Sequence, residues 1–194
     1  MKRKIAGLPS VAQLENELRR EKYRKSYGRV LRSTIFTLIT VAAIAILVSM
    51  LVMPVLQIYG TSMTPCLSDG EIVVTLKTTK QCKQGDVLAF YYNNKILVKR
   101  VIAFAGEWVD IDAEGNVYVN NVLVDEPYVS EKSFGFCNIE LPYQVPDGRI
   151  FVLGDHRATS TDSRATAVGC VAEEQIVGHV VLRIWPFEKF GSVE

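Results

Sequence analysis

The stretch KILVKRVIAFA, Lys95–Ala105, indicates how most of this chain folds. It is rich in β-branched residues and has no glycine or proline, which is typical of a strand. Comparable stretches lie on both sides of it: EIVVTLK, DVLAFYY, WVDIDAEGNVYVNNVLV, RIFVLGD and HVVLRIWPF. Turn signals such as SDG, KQGD and PDG separate them, and IDAEGNVYVNN predicts a hairpin. Because no amphipathic helix of about ten residues follows residue 57, we expect the second part of the chain to be mainly β.

An uncharged run, Thr34–Met53, precedes this β-rich part. Twenty residues at about 1.5 Å each reach about 30 Å, the thickness of a hydrocarbon core. A buried helix of a soluble protein is the alternative. A cleavable signal peptide fits worse, because 33 residues precede the run and no Ala-x-Ala sequence follows it. We therefore expect a membrane-spanning signal-anchor helix over residues 34–53.

Charge is distributed unequally on the two sides of this run. Residues 1–32 hold ten Lys or Arg and three Glu, net +7, whereas the rest of the chain is net −6. Basic residues beside a span stay in the cytoplasm, so we expect the N-terminus inside and residues 54–194 outside. Nucleic acid is an alternative partner for the basic arm, but anionic lipid is the simpler one at this position. No nucleic-acid partner is therefore expected.

Three parts follow from these patterns: a cytoplasmic basic arm (1–33), the spanning helix (34–53) and an extracytoplasmic β-rich domain (54–194). Within the arm, residues 10–29 are expected to form a short helix that begins at a weak capping box of Ser10 and Gln13.

The four cysteines all fall in the outside part, and none forms a C-x-x-C pair. Only two histidines are present, so no zinc or other metal site is predicted. Disulfides and free thiols are both compatible with an even count outside the membrane. The cysteines are Cys66, Cys82, Cys137 and Cys170.

The stretch IYGTSMTPCL, residues 58–67, presents one serine, Ser62, just past the uncharged run. It is not the G-x-S-x-G elbow of α/β-hydrolases, because the fifth position is Thr64. A Ser-His-Asp arrangement would have to use His156 or His179. Asp155 is next to His156, but adjacent side chains on an extended chain point in opposite directions. A neutral lysine is the other base that can activate a serine.

Lys99 is the candidate for such a base, because it lies among aliphatic residues of a predicted strand. A free lysine, with a pKa of about 10.4, is neutral about once in 2,500 molecules at pH 7. Lowering its pKa by about 3 units costs roughly 4 kcal/mol, which apolar burial without a carboxylate partner can impose. From the residues alone, a lysine that faces water from an edge strand is the favoured interpretation.

The stretch VLGDHRATSTDSR, Val152–Arg164, concentrates charged side chains and hydroxyls. In isolation it is compatible with an ordinary polar loop.

Taken together, these stretches resemble the bacterial type I signal peptidases, also called leader peptidases. GTSMTPCL resembles the family's nucleophile box, GDVLAF the strand box, VKRVIAFAGEWVDI the lysine box, LGDHRATSTDSR the Gly-Asp box and GHVVLRIWPF the closing strand. The order along the chain and the single N-terminal anchor also match. Relatives of the endoplasmic reticulum resemble this pattern but carry histidine where Lys99 stands.

The resemblance implies a role for several residues. Ser62 would be the nucleophile, Lys99 the general base, and Ser160 the residue that hydrogen-bonds and orients the lysine amine. An ion pair of Asp162 and Arg164, with Asp155 nearby, would brace the loop. The substrate groove would be lined by Ile58, Gly60, Met63, Leu97 and Val98.

The resemblance also implies a coiled, mostly antiparallel β domain to whose edge a signal peptide adds as an extended strand. No metal or organic cofactor is implied. Gly60 departs from the family, because some members have there a serine whose hydroxyl serves the oxyanion hole. His156, Ala158 and Cys66 replace an asparagine, a polar residue and a threonine.

The function predicted from this pattern is a single-pass serine endopeptidase of the bacterial cell membrane that removes signal peptides from translocated precursors through an acyl-enzyme. Two alternatives remain open. One is a non-catalytic β module that holds signal peptides or pilin-like proteins. The other is a self-cleaving regulator resembling the LexA repressors, which share serine–lysine chemistry.

Overall fold

The structure is a computed structural model that describes residues 11–77 and 82–193. The chain divides into an N-terminal unit that ends at Val48 and a second unit, Ser49–Glu194.

One helix, α1 (Val11–Val52), contains both the predicted short helix and the predicted spanning run. The expected separation between two helices is therefore wrong. Nothing in the connecting residues 30–33 breaks a helix, because the segment VLRS has neither proline nor glycine. Ser10, the predicted cap, lies outside the described residues. In the described part of the chain, α1 is the one helix that is long and apolar enough to cross a membrane.

The second unit is built from short antiparallel strands, as its sequence predicts. The strands are β1 (Val55–Gln57), β2 (Ile72–Leu76), β3 (Val87–Tyr92), β4 (Lys95–Phe104), β5 (Trp108–Ile111), β6 (Val117–Val119), β7 (Val122–Leu123), β8 (Tyr143–Gln144), β9 (Arg149–Leu153), β10 (Val171–Ala172), β11 (Ile176–Trp185) and β12 (Gly191–Ser192). Each of the six stretches that predict strands contains at least one, and β5 and β6 form the predicted hairpin, with Ile111 opposite Val117. The other four strands, β1, β8, β10 and β12, are too short to give a period-two signal.

The strands form two sheets. The larger has the order β1-β2-β11-β3-β4-β9-β10, with β12 paired to β11, and the smaller has the order β7-β6-β5-β8. Every pairing is antiparallel. The mainly β, antiparallel prediction is therefore confirmed. A core of fully buried residues that includes Ile102, Val109 and Phe151 packs the smaller sheet against β4 and β9.

Strand β4 is paired on both sides along only part of its length. Strand β3 pairs with it from Lys95 to Arg100, whereas β9 pairs with it only from Arg100 onward. Among the described strands, none pairs with the stretch Lys95–Lys99 on the side opposite β3. This open edge decides where the candidate site lies.

Candidate active site

Ser62 lies on a loop whose ends are held together by main-chain hydrogen bonds. The Ile58 N–H donates to the Glu71 carbonyl at 2.8 Å, and the Gly70 N–H donates to the Ile58 carbonyl at 2.9 Å. Two apolar side chains of the loop, Met63 and Leu67, are buried in a core cluster. This burial anchors the loop and fixes the position of Ser62, which is half-buried.

Lys99 extends from β4 and reaches Ser62. Its side-chain Nζ lies 2.6 Å from the Ser62 Oγ, and the residue is only 3% exposed. The sequence alternative, a lysine facing water from an edge strand, is therefore wrong. Both Lys99 and its neighbour Arg100 are buried, because strand and loop segments cover both faces of β4 at this point.

Burial lowers the pKa of Lys99 to about 8. The carboxylates of Asp162 and Asp155 oppose this shift, and the guanidinium of Arg164 adds to it. At this pKa, roughly one molecule in ten carries the neutral amine at pH 7. The structure thus supplies most of the shift that the sequence argument requires.

The two nearby carboxylates are each engaged by an arginine. Asp155 accepts two hydrogen bonds from Arg100, at 2.9 and 2.7 Å. Asp162 accepts two from Arg164, both at 2.9 Å, which confirms the predicted ion pair. Because each pair is neutral as a unit, the burial of Lys99 remains the dominant influence on its pKa.

The loop after β9 contacts the Ser62 main chain directly. The His156 N–H donates to the Ser62 carbonyl at 3.1 Å. Gly154 packs against the same carbonyl so closely that a Cβ there would stand 2.6 Å from the oxygen. The His156 ring contacts Thr159 at 2.8 Å, while Asp155 faces Arg100, so these two residues do not form a catalytic pair with Ser62.

Ser160 differs from its prediction. Its hydroxyl is buried and has no hydrogen-bond partner among the described residues, so the expected bond to the Lys99 amine is not formed. The hydroxyl packs over Gly154 instead, 2.1 Å from where a Cβ would stand. An unpaired buried hydroxyl is costly and unusual, and this one lies beside the Ser62 loop.

A groove of about 820 Å³ leads to Ser62 and Lys99. One wall comes from β1 and the start of the Ser62 loop, and the other comes from the open edge of β4. All five residues predicted to bind substrate line it: Ile58, Gly60, Met63, Leu97 and Val98. Ile58 and Met63 are buried, whereas Leu97 and Val98 are half-buried. The groove is thus mainly aliphatic, with an unpaired strand edge on its β4 side.

Gly60 offers no second donor for an oxyanion. It has no side chain, and its N–H donates to the Asp69 carboxylate at 2.6 Å. The structure therefore has no oxyanion donor at Gly60 that replaces the serine hydroxyl of some family members.

The four cysteines, all within the described residues, form no disulfide. Of the two possibilities that the sequence leaves open, the structure has thiols and not disulfides. No group of three His, Cys, Asp or Glu side chains in residues 11–77 and 82–193 is placed to hold a metal ion.

Sequence reasoning missed two side chains behind the loop after β9, Glu126, which is buried, and Tyr128, which is half-buried. Glu126 pairs with Arg157, and Tyr128 stacks on Arg100. Neither has a local signal, because the partners are separated by 31 residues in one case and 28 in the other. The one local hint is that Glu126 and Tyr128 are two positions apart, a spacing at which both side chains of an extended chain face the same way.

The model of the family described as "Signal peptidase, peptidase S26" matches residues 31–185. The chain belongs to this family. Among curated proteins, a signal peptidase IB of Staphylococcus aureus (strain COL) is 38% identical over 152 residues, covering 69% of this chain and 78% of the relative. A signal peptidase I of Bacillus licheniformis is 30% identical over 179 residues, 84% of this chain and 95% of the relative.

Among solved structures, a signal peptidase I from Enterococcus faecalis V583 matches 53% of this chain and 98% of that chain, with 27% identity and a TM-score of 0.45. Family membership makes the chain a peptidase, a hydrolase of peptide bonds. It also confirms the resemblance on which the sequence prediction rests.

Proposed function

We propose that this chain is a membrane-anchored serine endopeptidase that removes signal peptides from exported precursors, with Ser62 as nucleophile and Lys99 as general base. One observation carries the proposal: the Nζ of a buried lysine lies 2.6 Å from the hydroxyl of Ser62. Membership of the signal peptidase family supports the substrate class.

In the first half of the reaction, the neutral Lys99 amine takes the Ser62 proton as the Oγ attacks the scissile carbonyl carbon. The resulting ammonium then gives its proton to the leaving amine of the mature protein. The signal peptide remains as an ester on Ser62. In the second half, the amine takes a proton from water as the hydroxide so formed attacks the ester carbonyl; the C–Oγ bond then breaks, and the Lys99 ammonium returns its proton to the Ser62 Oγ.

The supporting residues act on the geometry and the charge of this pair. The ion pairs of Asp155 and Asp162 keep two buried carboxylates from holding the Lys99 ammonium. The Ser160 hydroxyl makes no hydrogen bond to the amine among the described residues, so no orienting role is assigned to it.

Substrate would bind as an extended strand in the groove. The open edge of β4 offers main-chain hydrogen bonds to such a strand, as in other β-strand additions. Aliphatic walls formed by residues such as Ile58 and Val98 leave room for small side chains near Ser62 and would exclude larger ones sterically.

The membrane would hold enzyme and precursor on one surface, which raises their effective concentration. Helix α1 would anchor the chain, with the basic arm in the cytoplasm and the peptidase domain outside the cell membrane. Trp108, Trp185 and Phe187 are 45%, 47% and 73% exposed rather than packed in a core. They are available as interfacial anchors.

The test is cleavage of a precursor by the full-length chain in detergent or lipid vesicles. Ser62→Ala and Lys99→Ala should each abolish processing while leaving the fold intact. Ser130→Ala and Lys83→Ala are matched controls, because they remove the same functional groups from exposed positions outside the groove. Full cleavage by either site variant would refute the assignment, and binding without cleavage by the wild type would favour the non-catalytic alternative.

A further inference from the structure

Two buried arginines outside the Ser62–Lys99 pair converge on one short segment, Asp125–Val129. The Arg157 guanidinium donates two parallel hydrogen bonds to the Glu126 carboxylate, at 3.1 and 2.5 Å. The exposed fractions of the two side chains are 1% and 0%. Such a pair is stabilising only when its geometry is good, and breaking it leaves a costly unpaired charge.

The second arginine is held by the aromatic side chain of the same segment. The Arg100 Cζ lies 3.8 Å from the centre of the Tyr128 ring, within the range of a cation–π interaction. The Tyr128 hydroxyl donates to Glu126 at 3.3 Å, which ties the two side chains together. Burial raises the pKa of Tyr128, so the phenol stays protonated and keeps this donor.

Both arginines also form hydrogen bonds to the loop that supports Ser62. Arg100 holds the Asp155 carboxylate, and the Arg157 Nε donates to the Gly154 carbonyl at 3.1 Å. Directly after these two attachment points, the loop contacts the Ser62 carbonyl through the N–H of His156. The segment is therefore linked to the nucleophile through Arg100 and through the loop 154–157, which includes Arg157.

We infer that Glu126 and Tyr128 form a latch that positions the loop 154–157, and through it Ser62 and the charges around Lys99. Neither residue contacts the groove or the reacting atoms, so both are positioning residues and not catalytic ones. The inference rests on the proposed function, because its main readout is turnover.

The latch also balances charge around Asp155. Five groups act on this carboxylate or lie against its arginine: Arg100, Arg157, Glu126, Cys66 and Tyr128. Without the Glu126 charge, Arg157 is an uncompensated cation that competes with Arg100 for Asp155.

The competition changes the field at Lys99, whose pKa responds to Asp162, Asp155 and Arg164. When two arginines share the Asp155 carboxylate, that carboxylate stabilises the Lys99 ammonium less. The pKa of Lys99 should therefore fall further, and the acid limb of the pH–rate profile should move to lower pH.

The test measures kcat, KM and the pH dependence of kcat/KM for the full-length chain in detergent micelles with a synthetic precursor peptide. Glu126→Gln keeps the side-chain shape and removes the charge. We expect kcat to fall at least tenfold, KM to stay within twofold, and the acid limb to move to lower pH. Glu126→Asp restores the charge and should return the limb towards its wild-type position. Asp125→Asn is the matched control, because Asp125 is the exposed neighbour.

A merely structural role for Glu126 would lower activity without moving the acid limb. Either an unchanged kcat or a reduced kcat with an unmoved limb overturns the inference. If Glu126→Gln does not fold, variants of Tyr128 provide the test. Tyr128→Phe keeps the ring over Arg100, so its kcat should stay near that of the wild type, whereas the kcat of Tyr128→Leu should fall at least fivefold. Equal kcat values for the two variants overturn the inference. Wild type and Ser62→Ala are measured alongside, so inactivity of the wild type would count against the proposed function instead.

Discussion

Replacing Lys99 by methionine tests the physical basis of the site through stability rather than activity. Methionine fills a similar volume without a titratable group. Burial lowers the pKa of Lys99 from 10.5 to about 8, so the folded protein loses this proton at a lower pH than the unfolded chain. At about 1.36 kcal/mol per pH unit, keeping the ammonium buried at pH 7 costs about 3 kcal/mol of folding free energy.

The sign follows from proton binding. Between pH 8 and 10.5 the unfolded chain holds a proton that the folded protein has released, so the stability of the wild type rises with pH in this window. The Lys99→Met variant lacks this gain. From pH 7 to pH 10.5, the wild type should therefore gain about 3 kcal/mol relative to the variant. The hydrogen bond to Ser62 that the variant loses adds an offset that is nearly the same at each pH.

The assay is urea unfolding of the full-length chain in detergent micelles, followed by the fluorescence of Trp108 and Trp185. The free energies of unfolding of wild type and variant are compared at half-unit steps from pH 7 to pH 10.5. Lys83→Met is the matched control, because this lysine is exposed. A flat difference curve for Lys99→Met would mean that the Lys99 amine titrates alike in the folded and unfolded chain, and would refute the argument for a neutral base.

Three further results are expected. The kcat/KM of the wild type should rise with pH and level off above about 8, because the proposed mechanism uses the neutral Lys99 amine; a profile that falls over this range would contradict it. Gly154→Ala should lower kcat/KM about 100-fold, because its Cβ would stand 2.6 Å from the Ser62 carbonyl oxygen and displace the nucleophile, whereas Gly191→Ala, which has open space, should have no effect in the same assay. Asp162→Asn should cost about 3 kcal/mol in urea unfolding and move the acid limb to lower pH, because it leaves a buried arginine unpaired and removes a charge that holds the Lys99 proton; unchanged stability would contradict it.

The strands were predictable because each carries its own signal. Period-two patterning, β-branched residues and turn residues act within ten residues of one another, and the same local rules place Ser62 on a loop and Lys99 on a strand. The continuous helix was not predicted, although residues 30–33 contain no breaker. In the proposed membrane anchor, the change from charged to uncharged composition at this point would mark a change of solvent, and a helix can continue across it.

The burial of Lys99 was not predictable from its strand alone. It depends on Ser62, 37 positions away, and on the loop after β9, and no local pattern specifies either contact. The pairing of Glu126 with Arg157 is hidden for the same reason. Ser160 shows the opposite failure, because a role carried over from the family does not by itself place a hydroxyl within hydrogen-bond distance of an amine.

The proposed chemistry depends on the one buried charged side chain in the described part of the chain, Lys99, that is not paired with an opposite charge. Among the described residues, every buried charged side chain except Lys99 has a partner of opposite charge. Those partners are Arg100 with Asp155, Arg157 with Glu126, Arg164 with Asp162, and Glu71 with Arg183 and Lys189.

A carboxylate in direct contact with Lys99 would stabilise its ammonium and raise its pKa, and the amine would then be useless as a base at neutral pH. The neighbouring carboxylates can lie close to Lys99 only because their arginines already hold them. The ion pairs therefore do more than stabilise the loop: they let a polar site be built around a lysine whose one hydrogen-bond partner among the described side chains is Ser62, the hydroxyl that it would deprotonate in the proposed mechanism.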